Sequence, residues 1–86
     1  MGLLEELFDA KILAVIRLFM DHKSHEFYLR EISQKSGVPV STIFRIVNKL
    51  VSLNLVEVMK VSKFKAYKWP NNEKTRFLEQ MIRKEV

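Results

Sequence analysis

The 86-residue sequence predicts an α+β fold in which helices accompany one β-hairpin, and three patterns carry this prediction. A segment from about Leu3 to Met20 lacks Gly and Pro and is rich in residues that favour helices. Gly37 and Pro39 then separate two shorter helical segments. Two β-rich runs follow, joined by a short polar stretch. The length is that of one small domain, residues 1–86.

The first helical segment has apolar residues on more than one face. One stripe comprises Leu4, Phe8, Ile12, Val15 and Phe19, and a second comprises Leu3, Leu7, Ala10, Ala14 and Leu18. A helix that is apolar nearly all round is buried on more than one side. Because so short a chain has little material to cover both sides, the pattern favours contact with a second subunit.

The two shorter helices are delimited by their flanking residues. Residues 26–28 could form one edge strand, and the helix after them is predicted from Leu29 to Ser36. Gly37 suits a left-handed residue that ends this helix, and Pro39 follows where a helix could not continue. The next helix is predicted to open at Ser41 or Thr42 and to run to about residue 53. Its buried face is predicted to be Ile43, Val47 and Leu50, and Asn54 takes the left-handed stop.

The remaining residues predict the hairpin and a last helix. The strands are expected over residues 55–61 and 66–69, with the basic stretch 62–65 as the tip. Asn72 can cap a last helix over about 72–85, and its apolar stripe comprises Phe77, Leu78, Met81 and Ile82. The order of elements is therefore a helix-turn-helix, about 29–53, followed by a β-hairpin wing, about 55–69, and a C-terminal helix.

The net charge of +5 is concentrated in the middle of the chain. Residues 30–68 contain eight Lys or Arg against two acids, whereas residues 1–29 contain three bases against five acids. A basic middle predicts a polyanionic partner. The sequence has no cysteine, which excludes disulfides, thiolate metal sites and cysteine nucleophiles.

Three segments resemble the winged helix-turn-helix domains of MarR- and ArsR-type regulators. They are Phe27-Tyr28-Leu29-Arg30-Glu31-Ile32, Ser41-Thr42-Ile43-Phe44-Arg45 and Asn54-Leu55-Val56, and the similarity extends from about residue 21 to residue 69. The resemblance implies a sequence-specific regulator that binds double-stranded DNA and dimerises through its first and last helices. The chain lacks the additional helical residues that form a ligand pocket in MarR-type proteins, so the resemblance does not extend to effector sensing.

The candidate DNA-binding residues lie on the exposed face of the second short helix and on the wing. They are Ser41, Thr42, Phe44, Arg45, Asn48, Lys49, Lys60, Lys63 and Lys65. Arg can form two hydrogen bonds to guanine, Asn can do so to adenine, and Lys contacts phosphates as a point charge. Phe44 could pack on a thymine methyl or against the neighbouring helix. Phe64 could be an apolar wedge, a partner contact or a side chain folded back onto the hairpin.

The candidate dimer interface combines the two terminal segments. It comprises Leu4, Leu7, Phe8, Phe77, Leu78, Met81 and Ile82. A two-fold dimer would place two recognition helices about one DNA turn apart, which predicts a palindromic site.

Other functions are disfavoured by what the sequence contains. A winged-helix module that binds proteins in a larger transcription or repair assembly is the alternative, but it would not need so basic a middle. Asp21, His22 and His25 lack the ligand pattern of ArsR-type metal sensors, so neither a metal nor another cofactor is expected. No motif for catalysis is recognisable, and the chain is expected to be cytoplasmic and associated with the nucleoid, with no membrane segment.

Overall fold

The computed structural model describes residues 9–85, which form a winged helix-turn-helix fold. The elements in chain order are helix α1 (Ala10–Asp21), helix α2 (Leu29–Ser36), helix α3 (Val40–Ser52), strand β1 (Glu57–Val61), strand β2 (Phe64–Lys68) and helix α4 (Glu73–Glu85). Helices α1 to α3 surround the core, the two strands form the wing, and α4 follows the wing.

Helix α1 begins later than the sequence predicts. Asp9 has extended backbone (φ −71°, ψ 162°), and its carboxylate accepts a hydrogen bond from the Ile12 amide at 2.9 Å. An acceptor of this kind satisfies one of the amides left unpaired in the first helical turn. The prediction of one uninterrupted helix from Leu3 to Met20 is therefore wrong at Asp9.

The core explains most of the apolar surface of α1. Leu13, Val15, Ile16 and Phe19 are buried, and the partly buried Ile12, Leu18 and Met20 pack against the same core. Within residues 9–85, much of the surface that the sequence assigned to a second subunit is thus covered by the chain itself.

An aromatic cluster joins α1 to the wing. The Phe19 ring meets Phe27 edge to face at 5.4 Å between ring centroids and stacks on Trp69 at 6.4 Å. Phe27 also exchanges two backbone hydrogen bonds of 2.7 Å with Tyr67 on β2. Residue 27 is therefore the short edge-strand contact that the sequence allowed, and it fixes the base of the wing. Burying a large apolar side chain such as Phe19 stabilises a fold by ~1.5–3 kcal/mol.

The ends of α2 and α3 follow the predicted signals, except at the start of α3. Gly37 (φ 76°) and Asn54 (φ 62°) adopt the left-handed conformation that ends α2 and α3. Helix α3 begins at Val40, one residue before the predicted start, because Pro39 lies at the N-cap and no side chain caps the helix. Tyr28 precedes α2 in place of a capping Ser or Thr, and the Glu31 carboxylate accepts from the Tyr28 amide at 3.1 Å.

Helix α4 is capped as predicted. The Asn72 side chain accepts from the Thr75 amide at 2.9 Å, and the Asn72 amide donates to the Thr75 hydroxyl at 3.0 Å. Leu78 and Ile82 are buried in the core of the chain itself. This differs from the sequence-based expectation that both residues face a second subunit.

Candidate nucleic-acid interface

Helix α3 has one apolar and one polar face. Ile43, Ile46, Val47 and Leu50 are buried and anchor the helix on the core. The opposite face carries the six residues predicted from the sequence, of which five are exposed and Thr42 is half-buried: Ser41, Thr42, Phe44, Arg45, Asn48 and Lys49. The division repeats every three to four residues, as expected for a helix that buries one side on its scaffold.

The turn between α2 and α3 holds α3 at a defined angle. The Gly37 amide donates to the Ser33 carbonyl at 2.9 Å, which closes the end of α2. The Ser33 hydroxyl donates to the Val38 carbonyl at 2.6 Å, and Val38 itself is buried. The Pro39 carbonyl then accepts from the Ile43 amide at 2.9 Å and starts α3.

The exposed face of α3 carries positive charge without neutralising acids. Within residues 9–85, the side chains of Arg45, Asn48 and Lys49 form no hydrogen bond or ion pair. The guanidinium, amide and ammonium groups therefore remain available for a partner outside the chain. These are the groups that make hydrogen bonds to base edges and phosphates in protein–DNA complexes.

The wing is a tighter hairpin than the sequence predicts. Its strands pair from Glu57 with Lys68 to Val61 with Phe64, so the turn consists of Ser62 and Lys63 alone. Ser62 takes a positive φ of 57°, as two-residue hairpin turns require. The prediction of a tip over residues 62–65 is therefore wrong, because Phe64 and Lys65 belong to β2.

The register of the wing brings two lysines face to face. Lys60 lies directly opposite Lys65 on the neighbouring strand, and both are exposed. Like charges directly opposite each other destabilise a sheet. Phosphates bound along the wing would offset this repulsion, because they attract both ammonium groups.

The structure settles the surroundings of two aromatic residues that the sequence left open. Phe44 is 55% exposed, so more than half of it is open to a partner, and it lies in one groove with the start of α2. Phe64 is 65% exposed, and its ring meets the Tyr28 ring edge to face at 6.2 Å. Phe64 thus contacts the start of α2 and does not fold onto its own hairpin.

An open groove of about 870 Å³ separates the wing from the start of α2. Its lining includes three of the predicted residues, Phe44, Lys63 and Lys65, together with Phe64. Sequence reasoning missed that Tyr28 and Arg30 line the same groove. The sequence places Arg30 only within the basic middle, because nothing local in it brings the start of α2 beside the wing.

The acid at the start of α2 is held within the chain. Glu31 accepts from the Tyr28 amide at 3.1 Å, and its second oxygen lies 3.2 Å from Nε2 of His25. The hydrogen bond from the Tyr28 amide, followed by that from His25, outweighs burial and lowers the pKa of the Glu31 carboxyl. Glu31 therefore stays ionised at neutral pH and stabilises the helix start.

A second polar cluster lies at the base of the wing. Oε1 of Glu79 is 2.5 Å from the Lys23 ammonium and 3.7 Å from the Arg83 guanidinium, and Oε2 accepts from the Trp69 indole at 2.8 Å. Burial raises the pKa of the Glu79 carboxyl, but the hydrogen bonds from Lys23 and Trp69 outweigh it, so the pKa is lowered. This cluster ties α4 to the connection between α1 and α2, through Lys23, and to the end of the wing, through Trp69.

The predicted dimer residues are divided by the structure. Leu4, Leu7 and Phe8 lie outside the described residues. On α4, Phe77 is 65% exposed and Met81 is half-buried, whereas Leu78 and Ile82 lie in the core as described above. The surface of α4 that remains for a second subunit is therefore smaller than the stripe seen in the sequence.

The described part of the chain offers neither a metal-binding cluster nor a membrane-spanning helix. Among residues 9–85, no three His, Asp or Glu side chains lie close enough together to hold a metal ion. In the same part of the chain, every helix is too short or too polar to cross a bilayer.

Comparison with known proteins identifies one family and several structures of the same fold. The IclR helix-turn-helix domain family matches residues 10–58, which span α1, α2, α3 and the start of the wing. That family differs from the MarR and ArsR families, although all share a winged helix-turn-helix. No curated protein matches the sequence significantly.

Three solved structures share the fold at low sequence identity. AF1382 from Archaeoglobus fulgidus is 18% identical with a TM-score of 0.74, and the match covers 93% of this chain and 89% of that protein. RV1404 from Mycobacterium tuberculosis is 14% identical with a TM-score of 0.75; the match covers 95% of this chain but only 55% of that protein. A Methanosarcina mazei protein described as a possible transcriptional regulator is 17% identical with a TM-score of 0.69, covering 91% and 70%.

Proposed function

Because the chain belongs to the IclR helix-turn-helix domain family, we propose that it is a sequence-specific regulator of transcription that binds double-stranded DNA. The observation that carries the proposal is the polar face of α3, on which Arg45, Asn48 and Lys49 are exposed and have no partner among residues 9–85. The description of the Methanosarcina mazei structure as a possible transcriptional regulator supports the same function.

In this proposal α3 enters the major groove and reads the bases. Arg45 donates two hydrogen bonds to guanine, and Asn48 exchanges two with adenine. Phe44 packs on a thymine methyl, while Ser41 and Thr42 bind phosphates or base edges at the start of the helix. Lys49 adds a phosphate contact further along α3.

The wing contributes contacts that do not depend on the base sequence. Lys60, Lys63 and Lys65 lie on the hairpin, and the opposed pair Lys60 and Lys65 gains most from a phosphate backbone nearby. Lysine acts there as a point charge along the backbone or in the minor groove. The wing thus contributes affinity for DNA of any sequence, and α3 contributes sequence specificity.

The test is a selection of bound duplexes from random DNA at moderate salt, followed by affinity measurements with Arg45→Ala. We expect Arg45→Ala to weaken the preferred site about ten- to a hundredfold and to spare random duplexes, because a bidentate contact to guanine is worth roughly 1–3 kcal/mol. Arg17→Ala is the matched control, since Arg17 is exposed on α1, away from α3. Equal losses on both duplexes would assign Arg45 to a phosphate and leave Asn48 as the base reader.

We also propose that the regulator is a homodimer whose interface combines Phe77 and Met81 with Leu4, Leu7 and Phe8 of the first segment. The strong exposure of Phe77 supports this, because a large aromatic side chain on a polar helix gains from being covered. The expected DNA site is a palindrome. Sedimentation at micromolar concentration should show a dimer that Phe77→Ser shifts toward monomer; a monomeric parent protein would exclude the two-fold arrangement.

A further inference from the structure

The groove between the wing and the start of α2 is unlike the polar face of α3, because aromatic rings dominate it. Tyr28, Phe44 and Phe64 all line it and are 40%, 55% and 65% exposed. Its volume of about 870 Å³ is within the range of small-molecule sites. Three aromatic side chains exposed in one groove add little to the core and indicate a surface that binds a partner.

The charge of the groove limits the chemistry of that partner. Arg30, Lys63 and Lys65 line it, and none of its lining residues is acidic. An apolar peptide would leave these three cations without a counter-charge, whereas a polyanion with flat faces would satisfy both features. A nucleic acid with unpaired bases has this combination, because its bases stack on aromatic rings and its phosphates bind cations.

The arrangement of the rings leaves stacking surfaces free. Tyr28 and Phe64 meet edge to face, at an interplanar angle of 79°, so the contact does not cover the two rings face to face. Tyr28 thereby holds Phe64 in place while most of the Phe64 side chain stays exposed. A ring that is both supported and exposed is suited to stack on a base.

We propose that this groove binds a single DNA strand, with unpaired bases stacked on Phe64 and Phe44 and phosphates held by Arg30, Lys63 and Lys65. This proposal rests on the proposed function, because the single-strand site and the duplex-binding face of α3 both place nucleic acid on the same side of the molecule. The principal duplex readers, Arg45 and Asn48, do not line the groove, so the two activities can be separated by substitution.

The test compares two fluorescently labelled strands of equal length and charge, an oligothymidine and an abasic strand, by anisotropy with the full chain. We expect the oligothymidine to bind about tenfold or more tightly than the abasic strand, because stacking adds affinity that phosphates alone do not supply. Phe64→Ala should remove most of this preference, and Phe64→Trp should retain it. Leu53→Ala is the matched control, since Leu53 is an exposed apolar residue just after α3 and does not line the groove.

The outcomes separate this proposal from the proposed function. Equal affinity of the parent protein for the two strands, or a preference that Phe64→Ala leaves unchanged, would overturn the single-strand site whatever the duplex selection gives. A preference that depends on Phe64 but persists in Arg45→Ala would support it, even if the selection finds no preferred duplex. Circular dichroism of each variant will distinguish a loss of binding from a loss of folded protein.

Discussion

Two sets of charged residues in this protein differ in whether the fold pairs them internally. At the base of the wing, Glu79 is buried and bound by Lys23 and by the Trp69 indole. On α3, Arg45 and Lys49 are exposed and have no internal partner within residues 9–85. The first set is paired within the chain and stabilises the fold, whereas the second is exposed and can bind a partner.

The difference follows from the cost of burial. A buried carboxylate is tolerated only when ion pairs and hydrogen bonds replace its lost hydration, so Glu79 requires its partners. An exposed guanidinium costs little in the free protein because water solvates it, and it can exchange that water for DNA. Net charge by itself therefore does not show which basic residues are free to bind a partner, whereas an internal acid shows which are already paired within the chain.

The largest expected effect is the salt dependence of DNA binding, which tests whether the unpaired cations contact phosphates. If each subunit of a dimer uses about four Lys or Arg side chains from residues 30–68, roughly eight phosphates are neutralised. The logarithm of the binding constant should then fall with the logarithm of the salt concentration, with a slope near −7. Affinity should then drop about 10⁴-fold between 50 and 200 mM salt. Titrations monitored by anisotropy measure this slope.

Two lysine variants sharpen that measurement. Lys63→Ala should make the slope shallower by about one for each subunit and weaken all sequences alike. Lys84→Ala, on the exposed side of α4, should leave the slope unchanged. A nearly flat slope in the parent protein, or equal effects of the two variants, would mean that the basic wing faces something other than a nucleic acid.

The next largest effect is on stability and tests the other set of charges. Glu79→Ala should lower the free energy of unfolding by about 2 kcal/mol, chiefly because it leaves the buried Trp69 indole N–H without its acceptor. The Lys23 ammonium also loses its partner, but it is exposed and water solvates it. For a domain of this size the melting temperature should fall by roughly 8–16 °C. Gln80→Ala, an exposed neighbour on α4, is the control and should change little.

If Glu79→Ala and Gln80→Ala unfolded with the same free energy, the charges around Glu79 would not be holding the chain together, and the contrast with α3 would fail. Fluorescence of the single tryptophan, Trp69, reports unfolding directly because this buried indole binds Glu79. Well below the melting temperature, DNA affinity of the folded Glu79→Ala protein should be unchanged. A large loss of affinity there would mean that the two sets of charges are not independent.

The smallest effect is the pH dependence of stability. The pKa of Glu79 in the folded protein is below its ordinary value of 4.5, so the ionised carboxylate stabilises the folded state above that value. This contribution is lost as the pH falls through the lowered pKa. As the pH falls below 4.5, the stability advantage of the parent protein over Glu79→Gln should therefore shrink, as urea unfolding at several pH values can show. A difference independent of pH would contradict the lowered pKa.

Local signals in the sequence were sufficient to predict the helix-turn-helix. Gly37, Pro39 and Asn54 each act on the backbone next to them, so the ends of α2 and α3 could be predicted within about one residue. The polar face of α3 followed from the helical repeat alone. These features need no knowledge of what the helix packs against.

The features that were missed depend on contacts between distant residues. Nothing near Glu79 in the sequence shows that Lys23 and Trp69 will surround it. The groove could not be predicted either, because Tyr28 and Phe64 meet only after the wing has docked. The apolar stripe of α4 was assigned to a dimer for the same reason, since its periodicity does not distinguish the core of the chain from a second subunit.

The paired amides of Phe27 and Tyr67 have a consequence for the order of folding. The two residues are far apart in the sequence, so their hydrogen bonds close a long loop that contains both α2 and α3. Closing such a loop costs chain entropy, and this cost is smaller once the intervening helices are already compact. The wing should therefore dock late on the folding pathway, after α2 and α3 have formed.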